Sequence, residues 1–324
     1  MPLTNFPNGL SSFGVPVLPG LNGLTALNKV YFVDGVNGLD SRTGLSVDQA
    51  FATIQKAVNT VVHRDAILVL PHAAAGADYD ETVTTPLNNA TSGNAANGVT
   101  LMGVSNTVYG DDAPQIFPNT GGGNCLVVRA PGWRISGLTF AVPTTSTMCI
   151  QLNLAQAAKT DNTSYAPHTQ VDNCRFRGLV AAGVGIQFTG APHDVRILNN
   201  VFDEFTDNCI ECPNSSTALP NRCLVMGNHF MNSTHGINMP LRGFNNSHII
   251  GNIFSEGDNT IVTIINITGG RNNVINRNVF PGDYSTAAAR FGAGTGDEWS
   301  GNYSSDTSET EVGASGLTVG APVA

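Results

Sequence analysis

Ile197–Phe202 reads ILNNVF, and the same phrase returns as VMGNHF at Val225–Phe230, IIGNIF at Ile249–Phe254 and INRNVF at Ile275–Phe280. Two looser copies come earlier, ISGLTF ending at Phe140 and VDNCRF ending at Phe176. The closing phenylalanines, Phe140, Phe176, Phe202, Phe230, Phe254 and Phe280, are spaced 36, 26, 28, 24 and 26 residues apart. In four copies an asparagine stands two places before the ring: Asn200, Asn228, Asn252 and Asn278. Short β-rich phrases recurring at this period, divided by Gly/Asn turns, are the mark of a solenoid. No phrase sustains a 3.6-residue apolar period, which argues against helical repeats.

A second series fixes the register. Between the Phe phrases lie CLVVRA from Cys125, CIQLNL from Cys149, GIQFTG from Gly185, CIECP from Cys209, GINMPL from Gly236 and IVTIINI from Ile261. Each coil therefore holds at least two strands. Parallel strands of successive coils stack about 4.8 Å apart, so like residues fall above like residues. The Phe column is expected inside, and the Asn column at a turn, where its amides can satisfy one another. Cys174 takes the Asn position in one rung, which points to a buried slot.

Composition limits the functions available. The 324 residues carry 12% charged side chains, 15 Lys plus Arg and a net charge of −9. With no basic cluster, nucleic-acid binding is not expected. No apolar run approaches the roughly 20 residues needed to span a bilayer, so no membrane insertion is expected. MPLTNFPNGL lacks the basic and apolar parts of a secretory signal. Cys209 and Cys212 form a C-x-x-C within one strand phrase, with no second pair to complete a tetrahedral metal site. Small buried solenoid residues are the expected reading of the cysteines.

The chain divides into an extended arm (1–28), an N-terminal cap with a helix and first strand (29–98), coils (99–303) and a tail (304–324). Ser46 is expected to cap a helix near residues 48–62, whose stripe is Phe51, Ile54, Ala57, Val58 and Val61. Such a helix would cover the solenoid end. Ala66–Leu70 reads as the first strong strand.

Val33–His72 resembles the opening segment of right-handed parallel β-helix proteins of the pectate-lyase-like superfamily. The carrying residues are Val33, Asp34, Asn37, Gly38, Asp40, Gly44, Leu45 and Ser46, then FATIQ at Phe51–Gln55 with Ala57, and later the Y-x-E-T of Tyr79–Thr82. The resemblance implies an all-β, right-handed parallel β-helix solenoid with a short capping helix. It implies no single function, since the superfamily holds lyases, hydrolases and inert structural proteins. The leader, through Leu3, Asn5, Phe6, Phe13, Val15 and Val17, is similar to the leader of virion-associated proteins of tailed bacteriophages. That resemblance implies a particle protein assembled in the host cytoplasm. Its arm would dock on the major capsid protein or on tail components, and its relatives are usually homotrimers.

The expected function is a non-enzymatic virion protein, a capsid decoration or cement component, with no cofactor and no metal. The alternative is a tail appendage that binds or depolymerises host surface polysaccharide. For that alternative the candidate acid and base are Glu204 and Glu256. Each stands two residues past a column Phe, two coils apart, so their backbones would lie about 10 Å from one another. The other coil acids are Asp172, Asp194, Asp203, Asp207, Glu211 and Asp258. Polygalacturonase-like phrases are echoed only by His235-Gly236 and loosely by Thr206-Asp207-Asn208, and His235 reads as a corner residue bonded to backbone. Asp34, Asn37 and Asp40 offer oxygens in a Gly-rich loop that would suit calcium, but turn hydrogen bonds explain them without a metal.

Overall fold

The repeated phrase is two strands, not one. The computed structural model describes residues 11–12, 15–16, 28–71, 79–87, 96–105, 113–120, 122–142, 147–152, 166–179, 183–189, 192–213, 219–255, 261–280 and 290–304. ILNNVF divides between Arg196–Leu198 and Val201–Asp203, and a third strand, Asn208–Glu211, completes the coil. The break falls on a left-handed residue, with φ of 53° at Asn199, 68° at Gly227 and 63° at Gly251. Glycine and asparagine enter that region at least cost. A second left-handed column, His168, Asp194, Arg222, Asn246 and Asn272, precedes the first strand of each coil.

Stacked coils generate three parallel sheets. The ten-stranded first sheet runs from Val30–Val33 to Glu298–Ser300, so the strand Val30–Val33 precedes and pairs with Ala66–Val69. The second sheet has eight strands, Gln115–Ile116 to Tyr303–Ser304, and the third has eight, Val83–Thr84 to Phe291–Gly292. This is the expected parallel β-helix.

The phenylalanine column is the spine of the core. Rings of Phe140, Phe176, Phe202, Phe230 and Phe254 stack at 4.5–5.3 Å with planes within 11° of parallel. Phe280 continues the column, tilted by 42°. Room for these rings comes from a neighbouring column of small residues at the start of the third sheet: Cys125, Cys149, Gly185, Cys209 and Gly236. A Cβ on Gly236 would lie 2.6 Å from the Phe254 ring. All six cysteines are buried free thiols.

Between the first and second sheets runs the asparagine ladder. Each Oδ1 accepts both the backbone N–H and the Nδ2–H of the asparagine one coil earlier, at 2.9–3.0 Å, from Asn200 through Asn228, Asn252 and Asn278 to Asn302. Each Nδ2 also donates to a carbonyl of the preceding coil, such as Val171 for Asn200. Cys174 begins the ladder by donating its backbone N–H to Asn200 Oδ1, and its side chain is fully buried.

The capping helix α1 spans Ile54–Thr60 rather than 48–62, and Ser46 makes no side-chain cap. Phe51 is the reason: its N–H donates to Phe32 and its carbonyl accepts from Asp34, which holds the chain extended there. The stripe of Phe51, Ile54, Ala57, Val58 and Val61 is nevertheless buried. The helix N-terminus is capped twice, by the Thr53 hydroxyl at Lys56 N and by Glu81, whose carboxylate accepts from Ile54 N and Gln55 N at 2.7 and 2.8 Å. Tyr79 donates its hydroxyl to Leu70 O and accepts from Gly35 N. The Y-x-E-T phrase is thus a clamp that fastens helix and first strands to the coils. Asp34 and Asp40 spend their carboxylates on local N–H groups, Asp34 on Val36 and Asn37, Asp40 on Ala52 and Thr53.

Of the arm, Leu3, Asn5, Phe6, Phe13 and Val17 lie outside the described residues. Val15–Pro16 forms a two-residue strand antiparallel to Ser11–Ser12. Phe230→Ala should lower the unfolding free energy by about 3–5 kcal/mol, measured by urea denaturation of the isolated protein.

Candidate functional site

Charge on the coils is arranged in clasps between neighbouring rungs. Asp172 receives Arg134 in a two-point contact, Nε to Oδ1 and Nη2 to Oδ2, each 2.9 Å, and is further bonded by Ser136, Gln170 and Asn173. Burial works to raise its pKa, but these donors outweigh burial and hold the carboxyl below its usual range. Arg175 contacts Asp203 at 3.1 Å, and Arg222 grips Asp194 through both oxygens at 2.9 and 2.8 Å. Glu204 sits at an exposed, left-handed corner with φ of 62°. Glu256, its proposed catalytic partner, lies outside the described residues, as does Asp258.

A polar row runs along the outer face of the third sheet, where Gln151, Gln187, Glu211, Asn238 and Asn266 occupy matching positions. Alternation along a strand forces this, since Ile186 and Phe188, on either side of Gln187, enter the core. Gln151 donates to Gln187 at 2.9 Å, and Gln187 to Glu211 at 2.7 Å. Asn208 Nδ2 then donates to both Glu211 Oε2 and Asp207 Oδ1, each at 2.7 Å. Two carboxylate oxygens sharing one nitrogen lie at most twice that contact distance apart. Burial raises the Glu211 pKa, against the pull of Gln187 and Asn208, and the nearby Asp207 charge adds to the rise.

His235 is not at a corner. It opens the strand His235–Asn238, directly beside Asn208 of the preceding coil. Its Nδ1 is buried without a hydrogen-bond partner among the described residues, and burial lowers its pKa while Asp207 opposes this. The two phrases that echo polygalacturonases therefore do meet, with Asp207, Asn208, Glu211 and His235 on one patch.

The second sheet carries a feature that sequence reading passed over. The residue before each column Phe faces outward, and in the later coils it is apolar: Ile253 is 48% exposed, Val279 39% and the equivalent Tyr303 49%. Met226, at the adjoining edge of the first sheet, is also exposed. The signal was present, since the penultimate letters of the phrase run Thr139, Arg175, Val201, His229, Ile253 and Val279, apolar in the last two.

No protein-family model matches the chain, and no curated protein does. Solved structures match in fold. The GH136 lacto-N-biosidase of Eubacterium ramulus aligns with a TM-score of 0.59 at 11% identity, over 85% of this chain and 56% of that one. YbhC of Escherichia coli aligns with a TM-score of 0.51 at 12% identity, over 86% of this chain and 76% of that one. The chain thus spans about 56% of the length of the lacto-N-biosidase. At these identities the likeness establishes the fold, a parallel β-helix, and no activity.

The Asp172 clasp has a pH signature. A carboxyl depressed by folding contributes stability above its unfolded pKa and loses it as pH falls through the folded value. Asp172→Asn should therefore cost about 3 kcal/mol at neutral pH, and the gap to wild type should close below about pH 4. Denaturant midpoints compared across pH would show it.

Proposed function

We propose that this chain is a structural, non-enzymatic protein of a tailed-phage particle, a homotrimeric decoration or cement component docked through its N-terminal leader. One observation carries the assembly part of this reading. Ile253, Val279 and Tyr303 form a continuous exposed apolar column on consecutive coils, with Met226 beside it. A rod facing only water would gain nothing from it, whereas a packed neighbour would remove it from solvent. The carboxylates of Asp172 and Asp203 are taken up by arginine clasps, which fits a scaffold better than acid–base chemistry. The leader's resemblance supplies the particle.

A second reading rests on the patch of Asp207, Asn208, Glu211 and His235. Two carboxyls that share one amide donor, one of them with a raised pKa, are the kind of pair that general acid–base cleavage of a glycoside uses, and the amide row offers hydroxyl-binding groups. The chain would then be a tail appendage that binds or cleaves host glycan.

Removal of residues 1–20 should abolish attachment to purified particles while leaving the thermal melt of the β-helix unchanged; retained attachment would refute docking by the leader. Ile253→Lys with Val279→Lys should convert a trimer to monomers in light-scattering chromatography. If the second reading holds, the wild type binds or depolymerises host surface polysaccharide and Glu211→Gln weakens this; a wild type that does neither excludes it.

A further inference from the structure

We infer that the corner formed by His168, His193 and Asp194 binds a divalent transition-metal ion, with zinc the best fit. The site is independent of the role proposed above. His168 and Asp194 occupy the same left-handed position in successive coils, and His193 immediately precedes Asp194. Stacking of coils thus delivers three donors to one point. His193 Nδ1 lies 2.6 Å from Asp194 Oδ2 and His168 Nδ1 lies 3.7 Å from the same oxygen. All three ligand atoms fall within 4.8 Å of one another. The two imidazoles meet edge to face with centroids 5.3 Å apart.

The donor set selects the ion. Two imidazole nitrogens and one carboxylate oxygen suit zinc and its neighbours, at about 2.0–2.2 Å per bond, and not calcium, which takes oxygen ligands. Three protein donors leave a fourth position for water or for another molecule. The backbone beneath is fixed, because His168 N donates to His193 O at 2.9 Å and Asp194 N to Asn221 O at 2.9 Å. Access is open: the side chains of His168, His193 and Asp194 are 63%, 36% and 28% exposed. Asp194 also lines two adjoining grooves, of about 300 and 420 Å³.

Arg222 is the built-in competitor. Its guanidinium holds both Asp194 oxygens and comes within 3.4 Å of His193 Nδ1, so it competes as a cation for the donors an ion would use. Its side chain is 55% exposed and can swing into solvent when metal arrives. Metal affinity is therefore set by exchange of one cation for another. Deleting the arginine should strengthen binding.

The test is calorimetric titration of the chelator-treated full-length chain with zinc chloride at neutral pH, alongside thermal melts. The expected result is one ion per chain and a melting temperature that rises with zinc. His193→Ala and His168→Asn, the latter tolerating left-handed backbone, should each weaken binding by about tenfold or more. Arg222→Ala should tighten it by about tenfold. Metal-free melts of all variants confirm that they fold. No saturable binding below roughly 1 mM, binding unaffected by both histidine variants, or binding not strengthened in Arg222→Ala would each overturn the proposal.

Discussion

The rest of the molecule depends on one buried amide contact. From Asn228 onward an asparagine at the junction of the first two sheets gives one oxygen to two donors below it and one nitrogen to a carbonyl. A solitary buried amide would cost free energy through unmade hydrogen bonds. A column of them converts that liability into a device that reads register, because a slip of one residue leaves every amide unpaired. The Phe stack cannot do this alone, since rings can slide over one another at little cost.

Core and ladder constrain each other through volume. The rings lie under a slot that admits only Cys or Gly in five successive coils, and a Cβ at Gly185 or Gly236 would meet Phe202 or Phe254 at 3.0 Å or less. Cys125, Cys149 and Cys209 are therefore explained by size. Burial raises the pKa of Cys174, Cys209 and Cys223, to about 12 for Cys174 and Cys223, so none is a thiolate at neutral pH. Variation along the rod is found on its outside, where the residue before the column Phe is Thr139, Arg175, Val201 or His229 in the earlier coils and Ile253 or Val279 in the later ones.

Fold was legible in the sequence because the contacts that make it recur at a fixed interval. The Phe and Asn columns could be seen in letters alone. What escaped was whatever broke the interval or acted at a distance. Asn302 went unseen because Ser304 stands where the Phe would be and Trp299 replaces the usual isoleucine. The helix start was misplaced because Phe51 is held extended by a strand partner, and its second cap, Glu81, lies some thirty residues onward. The corner of His168 and His193 is half visible in two Ala-Pro-His phrases, at 166–168 and 191–193, but the strand register offsets them by one residue. That offset, not the phrases, places Asp194 above His168. The patch of Asp207, Glu211 and His235 needed the third sheet's pairing before its members could be brought together.

The ladder also has a direction. Each asparagine's oxygen closes donors in the coil made before it, while its own N–H groups wait for the oxygen of the coil still to come. On a ribosome, the growing edge of the rod is therefore always incomplete in the same chemical sense, offering two donors to the next Asn to emerge. A chain interrupted in mid-synthesis would end in a surface shaped to accept another copy of its own coil. Asn302 is the last acceptor in the described ladder, closing both donors of Asn278 and giving its own amide to Ile275 O.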